Sequence, residues 1–246
     1  MVPAITELLI NLGLAHYLVG ITRHCEQPKN SKIKTLGTSK KIAPNFHFTK
    51  ADIFICNADE NPQEMIQELE MEYNVYVSKI ISLDDNFKMI EDLGKIFSIE
   101  KKVEKLIQKI KIKILNFKEF LKDKPSKRIL YMYWKKGFND WVIIGKNTYV
   151  HEMLLLNNFD NMLSANEHSH FSLDVDSFKD IPKGIFIPEI IFLPSYPFLF
   201  TLEHKELLKK HIDCTYIFVD GKMFGWYGSR IIKAIDYFMK LHKKIG

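Results

Sequence analysis

The segment from Ser98 to Pro125, SIEKKVEKLIQKIKIKILNFKEFLKDKP, decides how the rest of the chain is divided. Its apolar residues recur at alternating spacings of four and three, and lysines fill the other faces: Val103, Ile107, Ile110, Ile114, Phe117 and Leu121. This period is typical of an amphipathic α-helix. We predict one helix from about Ile99 to Asp123, roughly 35 Å long at about 1.5 Å per residue, because proline at 125 stops it.

Short apolar runs alternate with helical patterns on both sides of this helix. Predicted strands lie at 17–22, 52–57, 75–80, 128–134, 141–145, 190–195 and 215–221. The last predicted helix, at 229–245, has Ser229 as its cap. Strands that alternate with helices predict an α/β protein with parallel sheets.

The long helix separates two such regions. We therefore predict an α/β lobe at 1–97, a connecting spine helix at 98–124 and a second α/β lobe at 125–246. A cleft between two lobes is the default place for a ligand. The fold class is α/β, with two lobes joined by one long backbone helix and a ligand cleft between them.

Composition excludes several classes of protein. Of the 246 residues, 46% are hydrophobic, and the longest apolar stretches fall far short of the roughly 20 residues that span a bilayer. The net charge of +5 comes from lysines spread along the chain and enriched between 101 and 124, and no known nucleic-acid motif accompanies them, which favours a solvated helix face over a nucleic-acid site. The three cysteines lack metal-site spacing. The start, MVPAITELL, has no signal-peptide pattern, so the chain as written would not be exported.

Polar residues follow two predicted strands, at the sheet edge where open α/β sheets bind ligands. In TRHC, at 22–25, Arg23 is either a clamp for an anionic ligand or a structural residue. His24 and Cys25 are residue types that can bind a metal, but a structural role is favoured for both. In CNADEN, Asn57 and Glu60 are candidate ligand contacts. For Asn57, Asp59 and Asn61 a turn-building role is the favoured alternative.

Aromatic residues cluster at predicted strand ends and loops of the second lobe. This placement favours a hydrophobic cleft wall for a flat ligand, with the protein core as the alternative. The candidates for ligand contact are Trp134, Tyr149, Tyr196, Trp226 and Tyr227. Within FGWYGSR, at 224–230, we predict that Trp226 lines the second lobe's cleft face, whereas Tyr227 and Arg230 brace the loop.

Catalytic and metal motifs are weak. The HSH run at 168–170 matches no metal spacing and is predicted to be a solvent loop. The DVD run at 174–176 has a D-x-D form that many nucleotide-sugar transferases use, but this form arises often by chance. No phosphate-binding glycine loop and no G-x-S-x-G is present, so no nucleophile, base and oxyanion hole assemble from the sequence alone.

With these residues laid out, the chain resembles the periplasmic cobalamin-binding proteins of ABC importers, within the helical-backbone metal-chelate receptors. The similarity is carried in order by VPAITELLINLGL, LVGITRHCEQP, ADIFICNADENPQE, KNTYVHEML and DGKMFGWYGSR, and it covers nearly the whole chain. The resemblance implies two Rossmann-like lobes held apart by the spine helix. It implies that a metal chelate binds between them, cobalamin or another corrinoid first and an iron-siderophore or haem next, without any reaction.

The resemblance also implies partners. In that family an acidic residue on each lobe docks onto arginines of the membrane permease, which works with an ATPase. Glu152 matches the second-lobe position, and Glu64 is the nearest first-lobe counterpart. An ordinary exposed helix carboxylate is the alternative for both. The implied protein is a non-enzyme and a monomer, without a cofactor of its own and without nucleic-acid partners.

Two departures from the family qualify this expectation. A strand that usually precedes the VP is missing, and His24 stands where a bulky apolar residue is usual, which leaves the ligand open. If Met1 is internal to a longer precursor, the product is periplasmic or anchored at the cell surface. If Met1 is the true start, it is a cytoplasmic carrier. A two-lobed nucleotide-sugar transferase is the alternative from another class.

Overall fold

The computed structural model describes residues 2–28, 31, 33–43, 50–134, 140–161, 170–174 and 188–246. They form two compact units. Unit 1 comprises Met1–Lys113 and Trp226–Lys233, and unit 2 comprises Ile114–Gly225 and Ala234–Gly246. This division differs from the three-part division made from the sequence, because the boundary falls inside the long helix and a short C-terminal segment belongs to unit 1.

Unit 1 is a small α/β structure. Its elements are α1 (Pro3–Asn11), a 3₁₀ turn (Ala15–Tyr17), β1 (Gly20–Ile21), β2 (Lys34–Thr35), β3 (Phe54–Asn57), α2 (Gln63–Glu70), β4 (Val75–Ser78), α3 (Leu83–Ile96) and the first part of α4 (Glu100–Leu121). β1 pairs with β2 and β3 pairs with β4, both in parallel. The predicted strand at 17–22 was wrong over most of its length, because a 3₁₀ turn takes its start and β1 has only two residues.

Local signals explain where the helices of unit 1 begin and end. Pro3 occupies the first position of α1, where its missing N–H costs nothing. Gly13 ends this region with a φ of 74°, in the left-handed region that favours glycine. Ser82 and Asp85 form a capping box at α3, with the Asp85 N–H donating to the Ser82 Oγ at 3.1 Å and the Ser82 N–H donating to the Asp85 carboxylate at 2.9 Å.

The long helix α4 confirms the periodicity argument. All six residues of the predicted stripe are buried: Val103, Ile107, Ile110, Ile114, Phe117 and Leu121. Its observed ends, Glu100 and Leu121, lie within two residues of the predicted ones. Among the helices of the described ranges, none is long and apolar enough to cross a membrane.

Among its described residues, unit 2 contains a six-stranded mixed sheet. Its elements after α4 are β5 (Lys127–Trp134), β6 (Asp140–Ile144), α5 (Tyr149–Leu156), β7 (Phe159–Asn161), β8 (His170–Asp174), β9 (Ile190–Pro194), α6 (Leu202–Lys209), β10 (Thr215–Val219), α7 (Gly221–Gly225) and α8 (Ile231–Ile245). The order is β10-β9-β5-β6-β8, and β7 pairs with the start of β5. The strands β10, β9, β5 and β7 run in parallel.

Two expectations about this half were wrong. β6 runs antiparallel to β5, because the five residues between them are too few for the crossover that parallel strands need. Ser229 does not cap the last helix, since it lies inside a 3₁₀ turn (Gly228–Arg230) whose cap residue is Tyr227. The Ser229 hydroxyl instead accepts a hydrogen bond of 2.7 Å from the Asn11 side chain.

Candidate functional site

The first cluster of predicted site residues follows β1 in unit 1. Arg23 and His24 are exposed, whereas Cys25 is buried. The Cys25 Sγ lies 3.2 Å from the hydroxyl oxygens of both Thr6 and Thr22. The sulfur is therefore held inside unit 1, and the guanidinium and imidazole are the groups that this turn presents to solvent.

The second cluster is the turn after β3. The Asn57 Oδ1 accepts the backbone N–H groups of Asp59 and Glu60, at 2.9 and 3.2 Å, and the Asn61 Oδ1 accepts the Asn57 N–H at 2.9 Å. Asn61 also donates to the carbonyl of Ser39 at 2.7 Å. These bonds confirm that Asn57 and Asn61 build the turn. Asn57 is buried in this structure, and its role as a ligand contact stays a prediction.

The segment Trp226–Lys233 brings residues from the end of the chain to this turn. The Tyr227 hydroxyl donates a hydrogen bond of 3.1 Å to the Glu60 carboxylate. Gly228 makes the approach with a φ of 73°, and its N–H donates to the buried Asn86 side chain at 2.6 Å. The prediction that FGWYGSR lies on the second lobe was therefore wrong from Trp226 onward, because this stretch packs within unit 1.

A buried ion pair holds the same segment. The Arg230 Nε lies 2.7 Å from a Glu7 carboxylate oxygen, and both side chains are more than nine-tenths buried. Lys233 adds a second cation 3.2 Å from Glu7. Glu7 had no place among the residues predicted from sequence, because its partner lies 223 positions away. The prediction that Arg230 braces the loop agrees with this geometry.

Trp226 occupies the other side of Arg230. The guanidinium carbon lies 4.8 Å from the centroid of the Trp226 ring, a cation–π arrangement. Only 3% of Trp226 is exposed, and Tyr227 is similarly covered. In this structure Trp226 therefore offers little surface to a ligand, and its role as a ligand contact stays a prediction.

Glu60 is the residue of the turn after β3 whose carboxyl has a shifted pKa. Burial raises the pKa of its carboxyl above the ordinary value, and the hydrogen bond from the Tyr227 hydroxyl opposes that rise. Arg23, His24 and Glu60 all follow the carboxyl ends of parallel strands. We call these three residues the polar edge of unit 1. It carries groups of both charge signs and lies where open α/β sheets usually bind their ligands.

The predicted residues of unit 2 separate into buried and accessible ones. Tyr149 begins α5 and is buried, which raises the pKa of its hydroxyl. Trp134, the last residue of β5, and Tyr196, two residues after β9, are half-buried, and these two parallel strands are neighbours in the sheet. The Trp134 ring lies 4.4 Å from the His204 ring. Trp134 and Tyr196 are thus the predicted aromatics of unit 2 with surface left for a ligand.

A glycine that sequence reasoning missed shapes this edge. A Cβ on Gly221 would collide with the carbonyl oxygen of Tyr196, so only glycine fits there. The Gly221 N–H lies 3.4 Å from the Ser195 hydroxyl, to which it donates. The close approach joins the carboxyl ends of β9 and β10. The sequence signal was the DG pair at the end of the predicted strand.

The two predicted docking carboxylates occupy equivalent local positions. Glu64 is exposed in the first turn of α2, and Glu152 is half-buried in the first turn of α5. A carboxylate in the first turn is stabilised by the helix dipole whatever else it does. Docking to a permease therefore stays a prediction for both.

Metal and D-x-D motifs are not supported by the described geometry. Across the residues that the structure describes, no three His, Cys, Asp or Glu side chains are grouped so as to hold a metal ion. Of the HSH and DVD runs, only His170 and Asp174 are described, as backbone at the ends of β8; the rest of both lies outside the described residues.

Comparisons with known proteins bear on this geometry. A family model described as periplasmic binding protein matches residues 51–191. Among solved structures, the chain is similar to the periplasmic heme-binding protein RhuT from Roseiflexus sp. RS-1, with 17% identity and a TM-score of 0.79 over 97% of this chain and 94% of that one. A search of curated proteins finds no match.

Two structures from Vibrio cholerae give comparable similarity. The heme-binding protein HutB has 18% identity and a TM-score of 0.78, covering 98% of this chain and 96% of that one. The vitamin B12 binding protein BtuF has 16% identity and a TM-score of 0.76, covering 99% and 96%. At these identities the similarity shows a shared fold, and it extends over nearly the full length of each chain.

Proposed function

The chain belongs to the periplasmic binding protein family, and on that premise we propose that it is the solute-binding component of an ABC importer whose cargo is a metal chelate. The observation that carries the proposal is the family match together with a fold shared end to end with heme- and vitamin B12-binding proteins. The protein then binds and releases its cargo without chemistry, outside the cytoplasmic membrane, and hands it to a permease and its ATPase.

The accessible groups of each unit suit a planar tetrapyrrole-type chelate. Trp134 and Tyr196 offer half-buried aromatic faces, which favour contact with a flat ring system. Arg23 offers an exposed guanidinium, the group that best pairs with carboxylates such as those of haem. His24 offers an imidazole of the kind that ligates haem iron or cobalt. Cobalamin and haem are therefore the two cargoes to test first, followed by an iron-siderophore.

The direct experiment is a titration of the purified protein with hemin, cyanocobalamin and a ferric hydroxamate, followed by absorbance and calorimetry. We expect one of them to bind at one site with a change in its visible spectrum. If all three fail to bind, the metal-chelate proposal is refuted. Binding of haem alone would make cobalamin wrong and would leave the importer proposal in place.

Substitutions separate the residues that contact the cargo from those that hold the fold. Trp134→Ala should weaken binding at least about tenfold, since removal of an aromatic contact costs about 1.4 kcal/mol or more. Tyr17→Ala, at an exposed aromatic that is not among the predicted contacts, is the control and should leave affinity unchanged. Trp226→Ala is the weaker test, because it opens a cavity and lowers stability by about 3 kcal/mol or more.

Docking is tested by charge reversal in a reconstituted transport assay. Glu64→Arg and Glu152→Arg should each reduce uptake while leaving the affinity for the cargo unchanged. Glu68→Arg, an exposed carboxylate on the same helix as Glu64, is the control and should transport normally. Equal transport by all three variants would show that these carboxylates do not dock.

No observation favours the other candidate functions. The transferase alternative depends on Asp174 to Asp176, most of which lies outside the described residues. The cytoplasmic carrier is separated from the importer component by fractionation of the native cells, because the proposal requires the protein in the fraction outside the cytoplasmic membrane.

A further inference from the structure

His204 of unit 2 is absent from the residues predicted from sequence, yet it lies beside one of them. It is the third residue of α6, the helix that follows β9 in the chain. Its ring centroid lies 4.4 Å from that of Trp134, the last residue of β5. Since β5 and β9 are parallel neighbours, His204 lies at the carboxyl edge of this sheet, where open α/β sheets usually bind their ligands.

Aromatic rings hold the imidazole in place. Besides Trp134, the rings of Phe200 and Trp141 meet it edge-on, at centroid distances of 5.5 and 6.0 Å. Phe200 and Trp141 belong to the buried core of unit 2. His204 itself is half-buried, so part of its ring is accessible beside the accessible part of Trp134.

A hydrogen bond from the backbone fixes which ring nitrogen carries the proton. The Thr201 N–H donates to the His204 Nδ1 at 3.0 Å, as the third residue of a helix does in a capping box. A backbone N–H cannot accept a hydrogen bond, so Nδ1 must be unprotonated to receive it. The Thr201 hydroxyl, 2.7 Å from the same nitrogen, can rotate to donate as well. The neutral ring therefore carries its proton on Nε2.

This proton is available to a ligand. Burial lowers the pKa of His204 below its ordinary value, and the Glu203 carboxylate only opposes that change, so the ring is neutral at neutral pH. Among the described residues, the hydrogen bonds of His204 all involve Nδ1, so the Nε2–H has no acceptor there. A donor of fixed position beside an aromatic face suits an acceptor at the edge of a flat ring system.

We infer that the His204 Nε2–H donates a hydrogen bond to an oxygen atom on the rim of the cargo, whose ring system lies against Trp134. This inference rests on the proposed function. The oxygen belongs to a carbonyl or a carboxylate, the acceptors that side chains of corrinoids and porphyrins carry. His204 thereby fixes how the cargo is rotated in the site and selects against flat molecules without a rim acceptor.

The same geometry opposes metal ligation by His204. A histidine that ligates a metal through one ring nitrogen donates the proton of the other to an acceptor. With Nε2 on a metal, that proton would be on Nδ1, directed at the Thr201 N–H. Two N–H groups would then face each other at the start of α6. His204 is therefore a donor to the cargo's rim and leaves the metal to other ligands.

Two substitutions separate the donor from the helix cap. Glutamine and glutamate at the third helix position can both accept from the cap residue, but only glutamine keeps an N–H donor. Calorimetric titration with hemin and with cyanocobalamin should show that His204→Glu binds one of them about tenfold or more weakly, and that His204→Gln stays within about threefold of wild type. His211→Glu, just beyond the other end of α6, adds the same charge and should leave affinity unchanged.

Equal affinities of His204→Glu and His204→Gln would overturn the inference, because the donor would then make no difference. The probe whose binding falls identifies the acceptor, a carboxylate for hemin and an amide carbonyl for cyanocobalamin. If the wild type binds neither probe, the tetrapyrrole-type cargo is wrong and this inference fails with it. Binding by the wild type with matching affinities for the two variants overturns this inference alone.

Two spectroscopic measurements test the role of the imidazole directly. The absorbance maxima of the bound probe should be the same in His204→Gln and in wild type, and a shift would show that His204 ligates the metal. Nitrogen NMR of the protein without cargo should show Nδ1 unprotonated and Nε2 protonated at neutral pH. The opposite tautomer would overturn the inference, whatever the protein binds.

Discussion

The histidine at position 242 should make unit 2 lose stability as pH falls. Its side chain is 5% exposed on α8, and its Nε2 lies 3.2 Å from the Asn157 Oδ1. The imidazole stacks on Phe159, with ring centroids 4.9 Å apart, and meets Phe117 edge-on. The Asn157 Nδ2 is already committed to the Met153 carbonyl at 2.7 Å, which leaves its oxygen to accept from a neutral histidine.

This setting disfavours the charged imidazolium. Burial, helped by the nearby Lys124 charge, lowers the pKa of His242 from 6.5 to about 4. Between these values the unfolded chain binds a proton that the folded one does not, so stability falls as pH drops through this window. A tenfold change in proton affinity is worth about 1.4 kcal/mol, so the full effect is about 3 kcal/mol. Below pH 4 both states are protonated and the loss stops growing.

The assay is guanidinium denaturation of wild type and His242→Gln at pH 7, 5.5 and 4.5, followed by circular dichroism and fluorescence. The glutamine keeps a donor for Asn157 and removes the titration. Between pH 7 and 4.5 the unfolding free energy of the wild type should fall by about 2 kcal/mol more than that of His242→Gln. His16→Gln, at an exposed histidine of unit 1, is the control. Parallel pH profiles for wild type and His242→Gln would contradict the lowered pKa of His242.

Three further predictions concern unit 1. Arg230→Met should lower the unfolding free energy by about 3 kcal/mol, because it leaves the Glu7 carboxylate buried beside only a mostly exposed lysine; Arg230→Lys should recover part of this loss in the same denaturation assay. Ser82→Ala should cost about 1 kcal/mol by removing a helix cap, as measured by urea denaturation. Glu60→Gln keeps an acceptor for Tyr227 and removes a carboxyl of raised pKa. The melting temperature of this variant should therefore rise relative to that of wild type as pH increases from 4 to 7. If the difference between the two melting temperatures is the same at both pH values, the raised pKa of Glu60 is contradicted.

Local signals in the sequence predicted the parts of the fold that depend on neighbours in the chain. The stripe from Val103 to Leu121 predicted α4 because a helix buries every third or fourth residue. The capping box of Ser82 and Asp85 at the start of α3 is likewise local, because it is closed within four residues. The turn built by Asn57 and Asn61 was predictable for the same reason.

Contacts between distant parts of the chain were not predictable in this way. The pairing of Arg230 with Glu7 spans 223 positions, and nothing in either local pattern names the partner. The antiparallel β6 was hidden by its apolar composition, which is shared by buried strands of either direction. The burial of Trp226 was missed because a tryptophan between a glycine and a tyrosine is as typical of a packed turn as of a ligand wall.

These long-range contacts connect the buried ion pair to the candidate site. Tyr227 and Arg230 stand three residues apart on one short segment, so the bond to Glu60 depends on the segment that Arg230 anchors to Glu7. Glu60 in turn sits on the turn that shares the polar edge of unit 1 with Arg23. A substitution at Glu7 can therefore alter this edge without touching any exposed residue. A binding site placed on such a braced turn loses less entropy when its cargo arrives than one carried by a free loop.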